Sequence, residues 1–409
     1  MTPSERKILF FTCSAHTLTH IYMLIFPALV MPVGRGLGLS LSRVVSMSFW
    51  SYLLYGILAA PWGALCDRIG HKWALCSGLV ISGFGLILAG TFPNPGSIVI
   101  SFALVGIGSA AYHPSAVSLL SQSIRERGRA MGINGMWGNI GMAIVPFTVG
   151  LLNFVIGWQK GLILLGSLGL ALGIVGVFMH FGVQRGEDQK VVEPIARGAA
   201  NRLLVIFGIG LIFSGLMYRS YTVILPAFLE YRLGDMTEVF RRWVIDRLVD
   251  VRDAPAFNTL VANLVATVIY VVGAIGQGIG GRIADRYSLK WLYFSFYALA
   301  LPFVAATIWI ANAWLMPAVG IFMLFALGAL PIENSLVAYL TPARWRSIIY
   351  GVKYTLIFGV GSFAVKLVGW VQEYYGLQSV MLLIVFFNIC FLVVIGLFLI
   401  TSRGYAFRH

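Results

Sequence analysis

Apolar residues run through this chain in long blocks, and polar residues gather in the gaps between them. Twelve blocks approach or exceed the roughly 20 residues that a helix needs to cross a bilayer core. They cover 8–31, 43–64, 74–92, 97–122, 130–156, 160–182, 203–230, 258–281, 290–311, 313–340, 347–370 and 378–401. A transmembrane barrel would show shorter stretches alternating with a period of two. The pattern therefore predicts an all-α membrane protein of twelve transmembrane helices.

Composition supports this class. The chain is 59% hydrophobic and only 11% charged, with a mean hydropathy of +0.87, whereas a soluble domain carries about a quarter charged residues. Its 46 glycines suit close helix packing in lipid. Of the 29 basic residues, 18 fall on the side of the N-terminus, 8 on the other side and three, Arg219, Lys353 and Lys366, inside spans. The positive-inside rule then places both termini in the cytoplasm of a cell bounded by a plasma (inner) membrane. The net charge of +14 reflects this bias and anionic headgroups, so no nucleic-acid partner is expected. Cys13, Cys66, Cys76 and Cys390 are scattered, without the spacing of a disulfide framework or metal knuckle. The first block is too long for a cleaved signal peptide and lacks a small-residue cleavage pattern.

An internal repeat emerges when Asp67 is set on Asp285. Gly63 then matches Gly281, Arg68 matches Arg286, Lys72 matches Lys290 and Trp73 matches Trp291. Setting Pro27 on Pro226 matches Ala28 with Ala227, Tyr22 with Tyr221 and His20 with Arg219. The chain reads as two copies of a six-helix unit, 1–182 and 203–409, joined by a charged cytoplasmic linker at 183–202. Residues 231–257 have no counterpart in the first half. Within them, 236–251 place Val239, Trp243, Val244, Leu248 and Val251 at helical spacing, which predicts an amphipathic helix at the outer (periplasmic) interface.

Two six-span halves, with Gly63, Leu65, Asp67, Arg68, Gly70 and Lys72 between spans 2 and 3, resemble the major facilitator superfamily. His71 stands where a basic residue is usual, and Ser288 replaces Gly70 in the second copy. The stretches "YHPSAVSLLS", "ERGRAMG" and "GNIGMAIVP" are similar to the fosmidomycin-resistance-like drug/proton antiporters within it. The resemblance implies alternating access, a gating role for Asp67, Arg68 and Arg129 with Asp285 and Arg286 as repeat partners, and a monomer. In span 5, Gly141, Pro146 and Gly150 partly match the antiporter motif, with Val145 where a glycine is usual; this implies export by antiport.

Candidate chemistry lies where charge enters the spans. At 1.5 Å per residue, His20 sits about 18 Å into a core about 30 Å thick. Groups at this depth are costly and usually face an interior or aqueous path. Imidazole changes charge near neutral pH, so His20 is a proton-coupling candidate, and Arg219 is an anion-binding or pKa-setting group. The competing reading for both is helix–helix hydrogen bonding. His16 lies one turn before His20, on the same face. That spacing suits a metal, but no HExxH or third ligand joins it in the sequence. His113, before Pro114, is a second proton or substrate contact. Glu333 and Lys353 stand on adjacent spans where they can neutralise each other, and Glu333 is the best carboxylate for protonation. Tyr22, Tyr221, Trp137 and Asn139 complete the candidates.

The expected function is a proton-coupled transporter exporting a small organic compound, anionic or drug-like. It takes a small molecule and protons as partners, the proton gradient as energy source, and neither cofactor nor metal. An importer or uniporter of a metabolite, or a sensor without transport, are the alternatives. An enzyme is not expected, since the chain lacks a zincin motif, a nucleophile elbow and paired intramembrane aspartates.

Overall fold

The first helix begins where the sequence supplies a cap. Thr2 Oγ1 accepts from the Glu5 amide at 3.2 Å, and Glu5 Oε2 accepts from the Thr2 amide at 2.6 Å. Pro3 stands at the first helical position, where its missing N–H costs nothing. The computed structural model describes residues 1–179, 181, 197–245, 254–341 and 346–404. The linker expected at 183–202 therefore lies mostly outside the described residues.

Two compact units form, Met1–Gln189 with Arg252–Leu264, and Lys190–Val251 with Val265–His409. The first contains α1 (Pro3–Leu37), α2 (Leu41–Met47), α3 (Phe49–Ile57), α4 (Ala59–Ile69), α5 (His71–Thr91), α6 (Pro95–Ser109), α7 (Tyr112–Ser123), α8 (Arg127–Ile156) and α9 (Trp158–Phe178). The second contains α10 (Arg197–Arg232), α11 (Gly234–Ile245), most of α12 (Ala254–Ala284), α13 (Leu289–Ala306), α14 (Leu315–Leu340), α15 (Arg346–Tyr354), α16 (Phe363–Tyr375) and α17 (Leu377–Thr401). A π-turn, Thr355–Gly359, and a 3₁₀ turn, Val360–Ser362, join α15 to α16. The early part of α12 belongs to the first unit, where Asn263 donates to the Ala28 carbonyl at 3.1 Å and Arg35 to Thr259 at 2.6 Å.

Among the described residues, eleven helical segments are long and apolar enough to cross a membrane, and the bent α2–α4 run makes a twelfth. This is an all-α membrane protein. Span 2 is not the continuous helix expected over 43–64: it bends by 51° between α3 and α4. Pro61 has no N–H for the carbonyl of Ile57, where α3 stops. Pro114 likewise has none for Ala110, and span 4 divides there into α6 and α7.

The turns before α5 and α13 differ although the repeat aligns them. Gly70 adopts φ 91° and ψ 143°, a conformation that side chains rarely take. Ser288 in the second copy turns at φ −63° and ψ 114°, so the substitution is absorbed by a different backbone path. In the first unit, Phe11, Ala15, Leu75, Cys76, Leu79, Tyr112 and Ala116 form a buried core directly behind the histidines.

Candidate functional site

α1 carries His16 and His20 on one side, and the break at Pro114 leaves His113 at the start of α7, facing them. His16 Nδ1 lies 2.8 Å from the backbone oxygen of Asn134 in α8. A carbonyl can only accept, so Nδ1 carries the hydrogen and Nε2 of neutral His16 presents its lone pair. His20 Nε2 sits 3.1 Å from that nitrogen and donates to it. The His113 ring stands edge-on to both, with centroids at 5.6 and 6.1 Å. These contacts make a hydrogen-bonded line, His20 to His16 to the Asn134 carbonyl, with a third imidazole beside it.

Other residues hold this line in place. The Tyr112 ring stacks on His16 at 4.5 Å, and its hydroxyl reaches Asn134 Oδ1 at 3.0 Å and the Thr12 carbonyl at 3.1 Å. Gly138 of α8 lies against the His16 ring, where an added Cβ would come within 2.4 Å of it. Thr17 donates to the Trp137 carbonyl at 3.0 Å. Asn134, Tyr112 and Gly138 were not singled out from the sequence. An asparagine inside a span and a tyrosine beside His113 were the signals that could have found them.

The sequence offered no third metal ligand, and the fold corrects that by bringing His113 to the pair. The three ring nitrogens lie within 4.8 Å of one another. A tetrahedral zinc with ligands at about 2.0–2.1 Å would draw them to roughly 3.3 Å. His16 and His20 instead hydrogen-bond directly. Among the described residues of this unit, the one buried carboxylate is Glu5, at the start of α1.

The remaining first-unit candidates lie elsewhere. Tyr22 is buried and donates to the Leu165 carbonyl at 2.9 Å, a packing contact with α9. Trp137 is exposed and Asn139 half-buried on α8.

In the second unit, Arg219 is 2% exposed, its guanidinium 5.7 Å from the Tyr218 ring. Tyr221 packs edge-on to Phe322 at 5.3 Å and lines a small apolar cavity with Leu225, Phe228 and Met323. Lys353 of α15 meets Glu333 of α14 at 2.8 Å, with side chains 4% and 1% exposed. Tyr293 donates to the other Glu333 oxygen at 2.6 Å. Lys353 also donates to Asn334 Oδ1.

The gating candidates Asp67, Arg68, Arg129, Asp285 and Arg286 are all exposed. Arg129 pairs with Glu126 at 3.0 Å, and this guanidinium is the chief cause holding the Glu126 carboxyl below its ordinary range. Among the described residues, neither Asp67 nor Asp285 makes an ion pair. Lys72 does not turn to Asp67. It donates to the Val177 and Met179 carbonyls, both at 2.7 Å, at the end of α9. Lys290 does the same for α17, through the Ser402 carbonyl at 2.6 Å.

Among the described residues, up to twelve candidate spans, with breaks in the second and fourth, carry buried ionisable groups inside an all-α membrane protein. Residues 11–234 match the family model of the Major Facilitator Superfamily. The chain belongs to that superfamily. A probable L-galactonate transporter of Escherichia coli is 26% identical over 276 residues, 62% of this chain and 56% of that protein. A probable nitrate transporter of Staphylococcus epidermidis is 24% identical over 243 residues, 56% of this chain and 62% of that one. The matches thus span less than two thirds of these relatives. Among solved structures, a bacterial homolog of the human lysosomal transporter Spinster aligns with TM-score 0.73 at 16% identity, over 99% of this chain and 98% of that one. The nucleoside transporter NupG aligns with TM-score 0.74 at 14% identity, over 96% and 99%. Both show the major facilitator fold. The narrower likeness to fosmidomycin-resistance exporters is not carried by these relatives, whose names concern galactonate and nitrate.

Proposed function

We propose that this protein is a proton-coupled transporter of a small organic anion, working by alternating access, with His20 taking up and releasing the proton. The observation that carries the reading is the His20–His16–Asn134 line. Because His16 is fixed with its lone pair toward His20, a proton arriving at His20 is shared across the pair rather than left on a lone ring. Imidazole is suited to this task near neutral pH. Buried Arg219 supports an anionic cargo, as do the relatives named for a sugar acid and for nitrate.

A protonated imidazole and an anion attract, so their binding is mutually reinforcing and co-transport follows. Export in exchange for protons is the second reading. Gly141, Pro146 and Gly150 support it, because they partly match the family's antiporter motif. In either direction the protein works without a cofactor, as a monomer in the plasma membrane with both termini cytoplasmic.

The test uses purified protein in liposomes holding a pH-sensitive dye. L-galactonate or nitrate added outside acidifies the lumen in co-transport and alkalinises it in exchange. His20→Ala is expected to move the anion without either pH change. A variant that stays fully proton-coupled overturns the role of His20.

A further inference from the structure

We infer that His16, His20 and His113 form a binding site for Zn²⁺ within the first unit, and that the bound ion clamps α1 to α7. The site uses the same three rings as the proton reading above, but only its consequence for transport rests on that reading.

The donor set and its spacing carry the inference. Neutral imidazole is a good ligand for zinc. His16 and His20 stand four residues apart on α1, so one helical turn delivers two rings to one side. His113 comes from the first turn of α7. The three ligand nitrogens lie within 4.8 Å of one another. Tetrahedral coordination at about 2.0–2.1 Å sets such atoms roughly 3.3 Å apart. The His16 and His20 Nε2 atoms, at 3.1 Å, are already close to that spacing. The third nitrogen closes by at most about 1.5 Å, the difference between the two spacings.

His16 also has the outer partner of a metal ligand. Ligating histidines almost always donate the other ring N–H to a carbonyl, carboxylate or water, which fixes the tautomer and turns the lone pair to the metal. His16 Nδ1 meets the Asn134 carbonyl at 2.8 Å in this way. Tyr112 stacks on the ring at 4.5 Å and bonds the Asn134 side chain at 3.0 Å, so ring and carbonyl are held together. His20 becomes a ligand when its hydrogen moves from Nε2 to Nδ1, which keeps the ring neutral and releases no proton. Its hydrogen bond to His16 then gives way to two bonds to the metal. Bound Zn²⁺ and the His20–His16 line therefore exclude each other.

His20 and His113 are half-buried, and no residue of α1 from 11 to 34 is exposed, so the surface these rings keep lies in a recess. Among the described residues no carboxylate joins the set, which leaves the fourth position to water or a small anion.

The full chain, untagged and in detergent, is titrated with ZnCl₂ by calorimetry and with Co²⁺ as a visible-absorbing stand-in. The wild type is expected to bind one Zn²⁺ at these rings and to melt at a higher temperature with it. Co²⁺ should give the intense visible bands of a four-coordinate ion. His113→Ala should lose the melting shift and weaken Zn²⁺ by more than the roughly 10–100-fold that loss of an outer partner costs. His113→Cys places a thiolate there and should restore binding, with added Co–S charge-transfer absorption; a merely structural histidine would show no such rescue. The site is overturned if the wild type binds no Zn²⁺ below about 1 mM. It is also overturned if His113→Ala binds as tightly as the wild type. In liposomes, Zn²⁺ should abolish the anion-driven pH change and a chelator should restore it; transport that continues with the ion bound overturns the clamp. A chain that binds Zn²⁺ with this signature yet moves neither anion refutes the transport reading and upholds the site.

Discussion

Lys72 and Lys290 occupy matched positions in the two repeats, and each turns away from its neighbouring aspartate to bond the last carbonyls of the sixth helix of its half. Those carbonyls have no partner within their own helices, so an ammonium there satisfies them and meets the negative end of the helix dipole. Lys72 also lies 5.2 Å from the Trp73 ring and 5.6 Å from that of Phe181. Lys72→Met should lower unfolding stability in detergent by about 1.5–3 kcal/mol, the usual worth of a hydrogen bond to a charged group. Anion-driven proton movement should stay as in the wild type. A variant with unchanged melting would show that the cap contributes nothing. The lysine's position was legible in the sequence as part of the Asp67 loop. Its partner was not, because Val177 and Met179 lie more than a hundred residues away and offer only backbone oxygens.

At the scale of the element, proline is a poor guide to breaks taken singly. Pro61 and Pro114 divide their spans, whereas Pro27 and Pro32 sit inside a continuous α1 and Pro226 inside a continuous α10. In a membrane protein, neighbouring helices, hydroxyls and waters can satisfy the freed carbonyl, so packing decides which helix divides. The amphipathic helix expected over 236–251 runs over Gly234–Ile245, while Leu248 and Val251 lie outside the described residues. Met236, Val239, Phe240 and Trp243 form an exposed apolar stripe, and Leu233 and Thr237 face the protein. Arg241 first, then Arg242, hold the Glu238 carboxyl down from 4.5 to about 2. A depressed carboxyl stabilises the fold above about pH 4.5, and that contribution is lost as pH falls toward 2. An environment-sensitive dye on Val239→Cys should report an apolar surrounding in liposomes, and the same dye on Arg242→Cys an aqueous one. Equal emission from both would remove the helix from the bilayer interface.

Across the whole molecule, orientation follows from charge rather than from packing. The excess of Lys and Arg on the N-terminal side predicts cytoplasmic termini. In intact cells, an impermeant maleimide should label Ala311→Cys and spare Gly404→Cys; the reverse pattern would invert the topology. Both positions are exposed, while native Cys13, Cys66 and Cys76 are buried and Cys390 is half-buried.

The all-α membrane fold and the family were legible in the sequence alone, because hydropathy and the Asp67 loop are properties of contiguous residues. Lipid demands a helix wherever an apolar block crosses it, so local composition suffices. His16 and His20 were legible as a pair for the same reason, being one helical turn apart. Only the tertiary structure added His113 to them, set the His16 hydrogen toward the Asn134 carbonyl, and left Glu333 with one oxygen committed to Tyr293 and the other facing Lys353. Those arrangements depend on distances between helices distant in the chain. Hydropathy and spacing record that a polar group lies inside a span, but not which neighbour it meets there.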